Sequence, residues 1–321
     1  MRVRYIDNCS GLLIIYMIFT HIIQFSGLEN DEIYQYSFRV FYFFMPWFFF
    51  KSGQFLKVNY NSVNVVKLTK KLLYPLLFYT IIGCLLFIPF GIKEEGSVGL
   101  YLLRVIKDFV YKGSTYANLP LWFLTSLFIA KVVLSKILSI NINVFIILLI
   151  TLLFFFLIVY YDVCYPLLGS SFLGFLWIIF GYIYNKIEKY IHCKLIGFMA
   201  ALYLFNSLFN FSLVDVRTCS LVSGNWVQWF LSVFSGIVIF NKIIALASKR
   251  NVTILYKIGS SSMFYYCSHW LILLVLKYYI IPQNINGNIV FFVNGLALLA
   301  FYGLFPYMKR ILINCIYGSK E

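Results

Sequence analysis

Gly11-Leu-Leu-Ile-Ile-Tyr-Met-Ile-Phe-Thr-His21 decides how this chain is read. It lies inside an apolar run over 10–27, long enough to cross about 30 Å of hydrocarbon as a helix. Further runs of similar length follow at about 36–56, 72–91, 120–138, 142–161, 170–186, 195–213, 225–247, 259–281 and 288–308. The pattern predicts an all-α fold, a polytopic transmembrane bundle of about ten helices. The basic segment before the first run leads into it without a small-residue cleavage site. The first run is therefore read as a retained helix rather than a removed signal.

The composition agrees. Of 321 residues, 62% are hydrophobic and only 12% charged, about half the charge of an ordinary soluble domain. Mean hydropathy is +0.87. So little polar surface cannot cover a water-soluble globule, whereas lipid and interfacial belts absorb the 35 Phe and 26 Tyr. The net charge of +15 would raise nucleic acid as a partner in a soluble protein. Here it reads as loop lysines and arginines facing an anionic inner leaflet, and no basic groove or motif supports nucleic acid. The seven Cys lack paired metal-ligand spacing and read as small apolar fillers.

Orientation follows from charge. With ten crossings, Arg39, Lys93, Arg104, Lys107, Lys112, Arg217 and Lys277 fall on the side opposite the N-terminus. Lys51 lies near a membrane edge, and the rest of the 26 Lys and Arg fall on the N-terminal side. The positive-inside rule makes that side cytoplasmic and predicts both termini there, in a bacterial inner membrane. One integral-membrane domain over 1–321 is expected, with no appended soluble domain. Gly99 to Tyr111 reads as an amphipathic helix on the membrane surface.

The chemistry-bearing residues are few. His21 lies eleven residues beyond Ser10, about 16 Å deeper along a helix. An ionisable residue at that depth faces the bundle interior, either as a general base or as a hydrogen-bonded packing residue. At 100° per residue, Asp7, Ser10 and His21 share one stripe. Asp7 alone reads equally well as a helix-terminal carboxylate. His269 lies about 15 Å along the ninth run from Gly259, so two imidazoles arrive at similar depth. Pro46 is expected to kink the second span, with Ser52 and Gly53 allowing close helix approach. Arg39 reads as a snorkelling residue or an acceptor-binding one. Trp122 reads as an interfacial anchor or a sugar-stacking platform. His192, beside lysines, reads as solvated. The sequence has no phosphate loop, nucleophile elbow or metal-ligand cluster.

Four stretches in order carry a resemblance: Arg4-Tyr-Ile-Asp7 with the run to His21; Phe44-Met-Pro-Trp-Phe-Phe-Phe-Lys-Ser-Gly53; Leu121-Trp-Phe-Leu124; and Ile258-Gly-Ser-Ser-Ser-Met-Phe-Tyr-Tyr-Cys-Ser-His269. Together they resemble the membrane acyltransferase-3 family, in its fucose-4-O-acetylase-like and polysaccharide O-acetyltransferase branch. The resemblance implies an O-acetyltransferase with acetyl-CoA as donor and no permanently bound cofactor. The implied acceptor is a hydroxyl of a carbohydrate: exopolysaccharide, capsule, O-antigen or lipid-linked sugar. It implies His21 as the catalytic residue, and Asp7, on the same stripe, is expected to orient that end of the site. For such a reaction Arg4 and Lys71 are the candidates for the CoA phosphates at the cytoplasmic face, and Ser10, Arg39, Trp122 and His269 complete the expected donor and acceptor set. Two positions depart from the family pattern. Relatives carry Arg or Lys where this chain has Ser10, and an apolar residue where it has Lys51. Two other functions fit a polytopic chain, a flippase of lipid-linked saccharide and a non-catalytic partner in polysaccharide assembly.

Overall fold

A computed structural model describes residues 4–56, 65–140, 142–161, 165–190, 192–209, 211–248, 253–282 and 284–304. The protein is α-helical and multi-pass. The helices are α1 (Arg4–Phe25), α2 (Glu32–Val40), α3 (Phe44–Gln54), α4 (Val65–Glu95), α5 (Val98–Lys112), α6 (Trp122–Leu138), α7 (Val144–Tyr160), α8 (Pro166–Ile187) and α9 (Cys193–Phe209). After a hairpin come α10 (Trp226–Ala247), α11 (Thr253–Ser260), α12 (Ser262–Val275) and α13 (Gly287–Gly303). Among the described residues, six helical stretches are long and apolar enough to cross a membrane, and Val144–Tyr160, Lys194–Phe209 and Gly287–Gly303 are shorter apolar helices.

The predicted runs fall on these helices with three corrections. The run 36–56 is not one helix. It breaks after Val40, and α3 starts at Phe44, which places Pro46 in a first turn, where its missing N–H costs nothing. The freed Val40 carbonyl accepts the Tyr203 hydroxyl. The run 195–213 stops at Phe209, and a two-stranded antiparallel hairpin follows, β1 (Leu213–Asp215) on β2 (Ser220–Ser223). Asp215 Oδ1 accepts the Arg217 N–H at 2.9 Å, and Cys219 takes a left-handed φ of 55°. Local side-chain bonding of this kind ends helices and makes turns. The run 259–281 is divided at Ser261, and its end, Leu276–Ile280, is π-helical. The amphipathic α5 matches its prediction: Ser97 caps it, Gly113 closes it in the left-handed region at φ 76°, and Leu103, Ile106 and Val110 are exposed.

The chain folds into two compact units, each assembled from separated stretches. The first holds Met1–Leu13, Phe38–Val65 and Ser126–Ser261. Its centre is the α3–α8 crossing. A methyl at Gly53 would stand 1.9 Å from the Ile178 carbonyl oxygen, and one at Gly181 would stand 1.9 Å from that of Phe50. Backbones therefore touch there, as expected where small residues replace an absent hydrophobic drive between helices in lipid. Trp47, Trp177 and Trp229 are buried around this crossing. Ser126 and Ser170 share a buried hydrogen bond of 2.7 Å between α6 and α8.

The second unit holds Ile14–Ser37, Val66–Thr125 and Ser262–Glu321. Here α12 is tied to the 3-10 segment Tyr116–Leu121, which is kinked at Asn118. Asn118 Nδ2 donates to the Cys267 carbonyl at 3.2 Å, and the Tyr266 hydroxyl donates to the Pro120 carbonyl. Gly83 of α4 lets that helix approach Ala117 and Leu271. These contacts fix the axial position of α12, and with it His269.

Candidate functional site

His21 and His269, both in the second unit, meet. Their rings stack with centroids 5.1 Å apart and planes 24° apart. Trp270 sets its edge against His21 at 5.1 Å and 90°, and Phe25 packs on the other part of Trp270 at 4.8 Å. The local sequence explains the arrangement. On α12, His269 and Trp270 are 100° apart, so one neighbouring helix touches both. Leu273, one turn on from His269, is fully buried against Ile22 of α1 and seals that contact.

Each imidazole has one nitrogen committed. His269 Nδ1 lies 3.0 Å from the Tyr265 carbonyl oxygen, four residues back on α12. A carbonyl only accepts, so Nδ1 carries the hydrogen and Nε2 presents a lone pair. His21 Nδ1 lies 3.2 Å from Gln24 Oε1. With Nδ1 donating to that amide oxygen, Nε2 is the basic nitrogen of His21. His269 is fully buried, whereas His21 is half-buried and Gln24 is exposed. The outer ring is thus open to a ligand and the inner ring supports it.

A second polar cluster lies in the first unit, at the start of α1. Asp7, Asn8 and Ser10 are all buried there. Asp7 occupies the first turn of α1, where a carboxylate meets the positive end of the helix dipole. Ser10 Oγ donates to the Ile6 carbonyl at 2.8 Å and accepts Lys51 Nζ at 2.5 Å. The two departures from the family pattern therefore touch: the cation absent from position 10 reaches that position from α3. Lys51 also lies over the Trp47 ring at 5.5 Å. Asn241 Oδ1 accepts Trp47 Nε1 at 2.7 Å and the Cys9 thiol at 3.7 Å. Arg4 is exposed and lies over the Tyr256 ring at 5.6 Å.

The other expected residues are placed as follows. Lys71 is exposed on α4. Arg39, at the end of α2, lies over the Phe211 ring at 5.4 Å. Trp122 is buried at 6% exposure, with its ring against Phe123 at 6.2 Å, so it offers no open face for stacking a sugar. Sequence reasoning missed Gln24, Trp270 and Asn241, and it noticed Lys51 only as a departure. Gln24 had a legible signal, since it lies three residues after His21 on the same helical face. Among the described residues no group of His, Cys, Asp or Glu is arranged to hold a metal ion.

A family model described as an acyltransferase domain matches residues 3–305. No curated protein and no solved structure matches the chain.

Proposed function

Since residues 3–305 make this chain a member of the membrane acyltransferase-3 family, we propose that it moves an acetyl group from cytosolic acetyl-CoA to a hydroxyl of a cell-surface or lipid-linked glycan. The setting proposed is a bacterial inner membrane. The observation that carries the reading is His21. It is a half-buried imidazole with Nδ1 committed to Gln24, so Nε2 is available as a base.

The chemistry is balanced on His21. The acceptor oxygen attacks the thioester carbonyl carbon while Nε2 takes the hydroxyl proton. The C–O bond forms, the C–S bond breaks, and the leaving thiolate recovers the proton from the imidazolium. His269, stacked beneath, holds the His21 ring in place. Its alignment removes the orientational cost that a free imidazole would carry. Apart from this pair, the start of α1 supplies polar and basic groups suited to an anionic donor. Lys51 on Ser10 brings one cation there and Arg4 is an exposed one, while Lys71, exposed on α4 in the second unit, is a separate basic candidate.

The test is surface-glycan O-acetyl content, read by NMR, in a strain lacking the gene and complemented with wild type or His21→Ala. Acetyl restored by wild type and not by an equally abundant His21→Ala protein supports the reading. Equal restoration removes His21 from the chemistry. Acetyl content indifferent to the deletion, with glycan export altered, points instead to a flippase.

A further inference from the structure

We propose that His269 and Trp270 form a second hydroxyl-binding position beside His21, so that the acceptor is a polyol with a free hydroxyl next to the one acylated. The inference rests on the acyl-transfer reading of His21.

The argument starts from two polar atoms. His269 Nε2 and Trp270 Nε1 are both buried with no hydrogen-bond partner among the described residues. The residues themselves are 0% and 7% exposed. Buried polar groups in folded proteins are almost always met, and what marks this pair is that both rings flank the half-buried His21 ring. Their chemistry is complementary. Nδ1 of His269 is spent on the Tyr265 carbonyl, which leaves Nε2 as an acceptor. The indole N–H is a donor only. Both rings touch the same third ring, that of His21, at 5.1 Å.

The group that answers both atoms must donate and accept. A carbonyl or carboxylate oxygen only accepts, and an ammonium only donates. A hydroxyl does both through one oxygen, giving its hydrogen to His269 Nε2 and taking one from Trp270 Nε1. That hydroxyl is not the reacting one, whose proton goes to His21. Two near-parallel imidazoles therefore address two oxygens, and their closeness suits hydroxyls on neighbouring carbons of one sugar ring. An acceptor lacking the second hydroxyl would leave both atoms bare. Sites built to hydrogen-bond a substrate hydroxyl discriminate strongly against analogues without it.

The experiment uses membranes from the deletion strain expressing each protein, labelled acetyl-CoA and the cell's own glycan. The product is mapped by NMR. Every acyl group is expected on a carbon whose neighbour bears a free hydroxyl. Trp270→Phe keeps an aromatic ring at the position and removes the N–H together with part of the indole, so it is compared with wild type at equal folded abundance. At limiting glycan it is expected to slow transfer about tenfold, with the KM for acetyl-CoA unchanged. An acyl group flanked only by deoxy or glycosidically linked carbons would overturn the proposal without needing any variant to fold. So would a Trp270→Phe protein with wild-type dependence on glycan, which would leave a bound water as the occupant. A wild-type protein that transfers no acyl group at all refutes the underlying reading instead, so the two failures are told apart.

Discussion

A methyl group added at Gly259 tests how tightly α1 is held. It would stand 1.7 Å from the Asp7 carbonyl oxygen and 2.8 Å from the Gly11 nitrogen, while a methyl at Gly11 would stand 2.2 Å from the Leu255 carbonyl oxygen. Real Cβ atoms essentially never approach closer than 3.0 Å, so in Gly259→Ala the two backbones must part by about 1.3 Å. Neither obstacle is the end of a flexible side chain, so rotamer changes give no relief. Overpacking of this kind costs ~1–3 kcal/mol, offset by ~1 kcal/mol because alanine favours a helix over glycine. The expected net loss is about 1 kcal/mol, roughly a fivefold shift toward the unfolded state. Equilibrium unfolding of the purified protein in mixed micelles measures it. Gly295→Ala on α13 is the control, since nothing lies within 4 Å of its added methyl; it should be neutral or stabilised by up to about 1 kcal/mol. The carbonyl pushed aside belongs to Asp7, and a misplacement of ~1 Å near chemistry costs up to about 100-fold in rate, so acyl transfer should fall as well. Gly259→Ala unfolding at the same denaturant concentration as Gly295→Ala would refute the close backbone contact.

Three further outcomes are expected. Asn241→Leu strips the buried Trp47 Nε1 of its acceptor and should cost about 1–3 kcal/mol in the same unfolding assay; with Trp47→Phe already in place the same change should cost less, because no indole N–H is then orphaned. Cysteines at Leu103 and Ile106, the exposed apolar side of α5, should react slowly with an impermeant maleimide in sealed membranes. A cysteine at Lys107 should react fast, and equal rates would lift α5 off the membrane surface. Lys51→Met, if it folds, should raise the KM for acetyl-CoA about tenfold, with Lys51→Arg keeping most of the affinity; an unchanged KM would separate the Lys51–Ser10 contact from donor binding.

Helix placement was legible because each crossing needs an uninterrupted apolar run, and length alone picks such runs out. What escaped was local. The break before α3 turns on where Pro46 falls within a helix, and the hairpin after α9 turns on Asp215 and a left-handed Cys219. Neither changes hydrophobicity over a window of twenty residues. The meeting of His21 with His269 was foreseen only as similar depth, because helix periodicity fixes a face but not which neighbour occupies it. For the same reason Ser10 and Lys51 looked like two unrelated oddities, 41 positions apart in sequence. Trp122 shows the opposite limit: a tryptophan near a helix start reads as an interfacial side chain, but the packing around Phe123 buried it.

The partners of α1 also bear on how the protein is made. Asn8 bonds Ser248, Cys9 bonds Asn241, and Ser26, just past the end of α1, bonds Asn294, over sequence separations of 240, 232 and 268 residues. At ~5–20 residues per second a ribosome needs on the order of 10–50 s to reach those partners. The first helix to leave the ribosome therefore waits in the bilayer with Asn8 and Cys9 short of these late partners. Its membrane insertion is completed by the last third of the chain, and a nascent protein stalled before α10 holds an unfinished first helix, a natural target for membrane quality control.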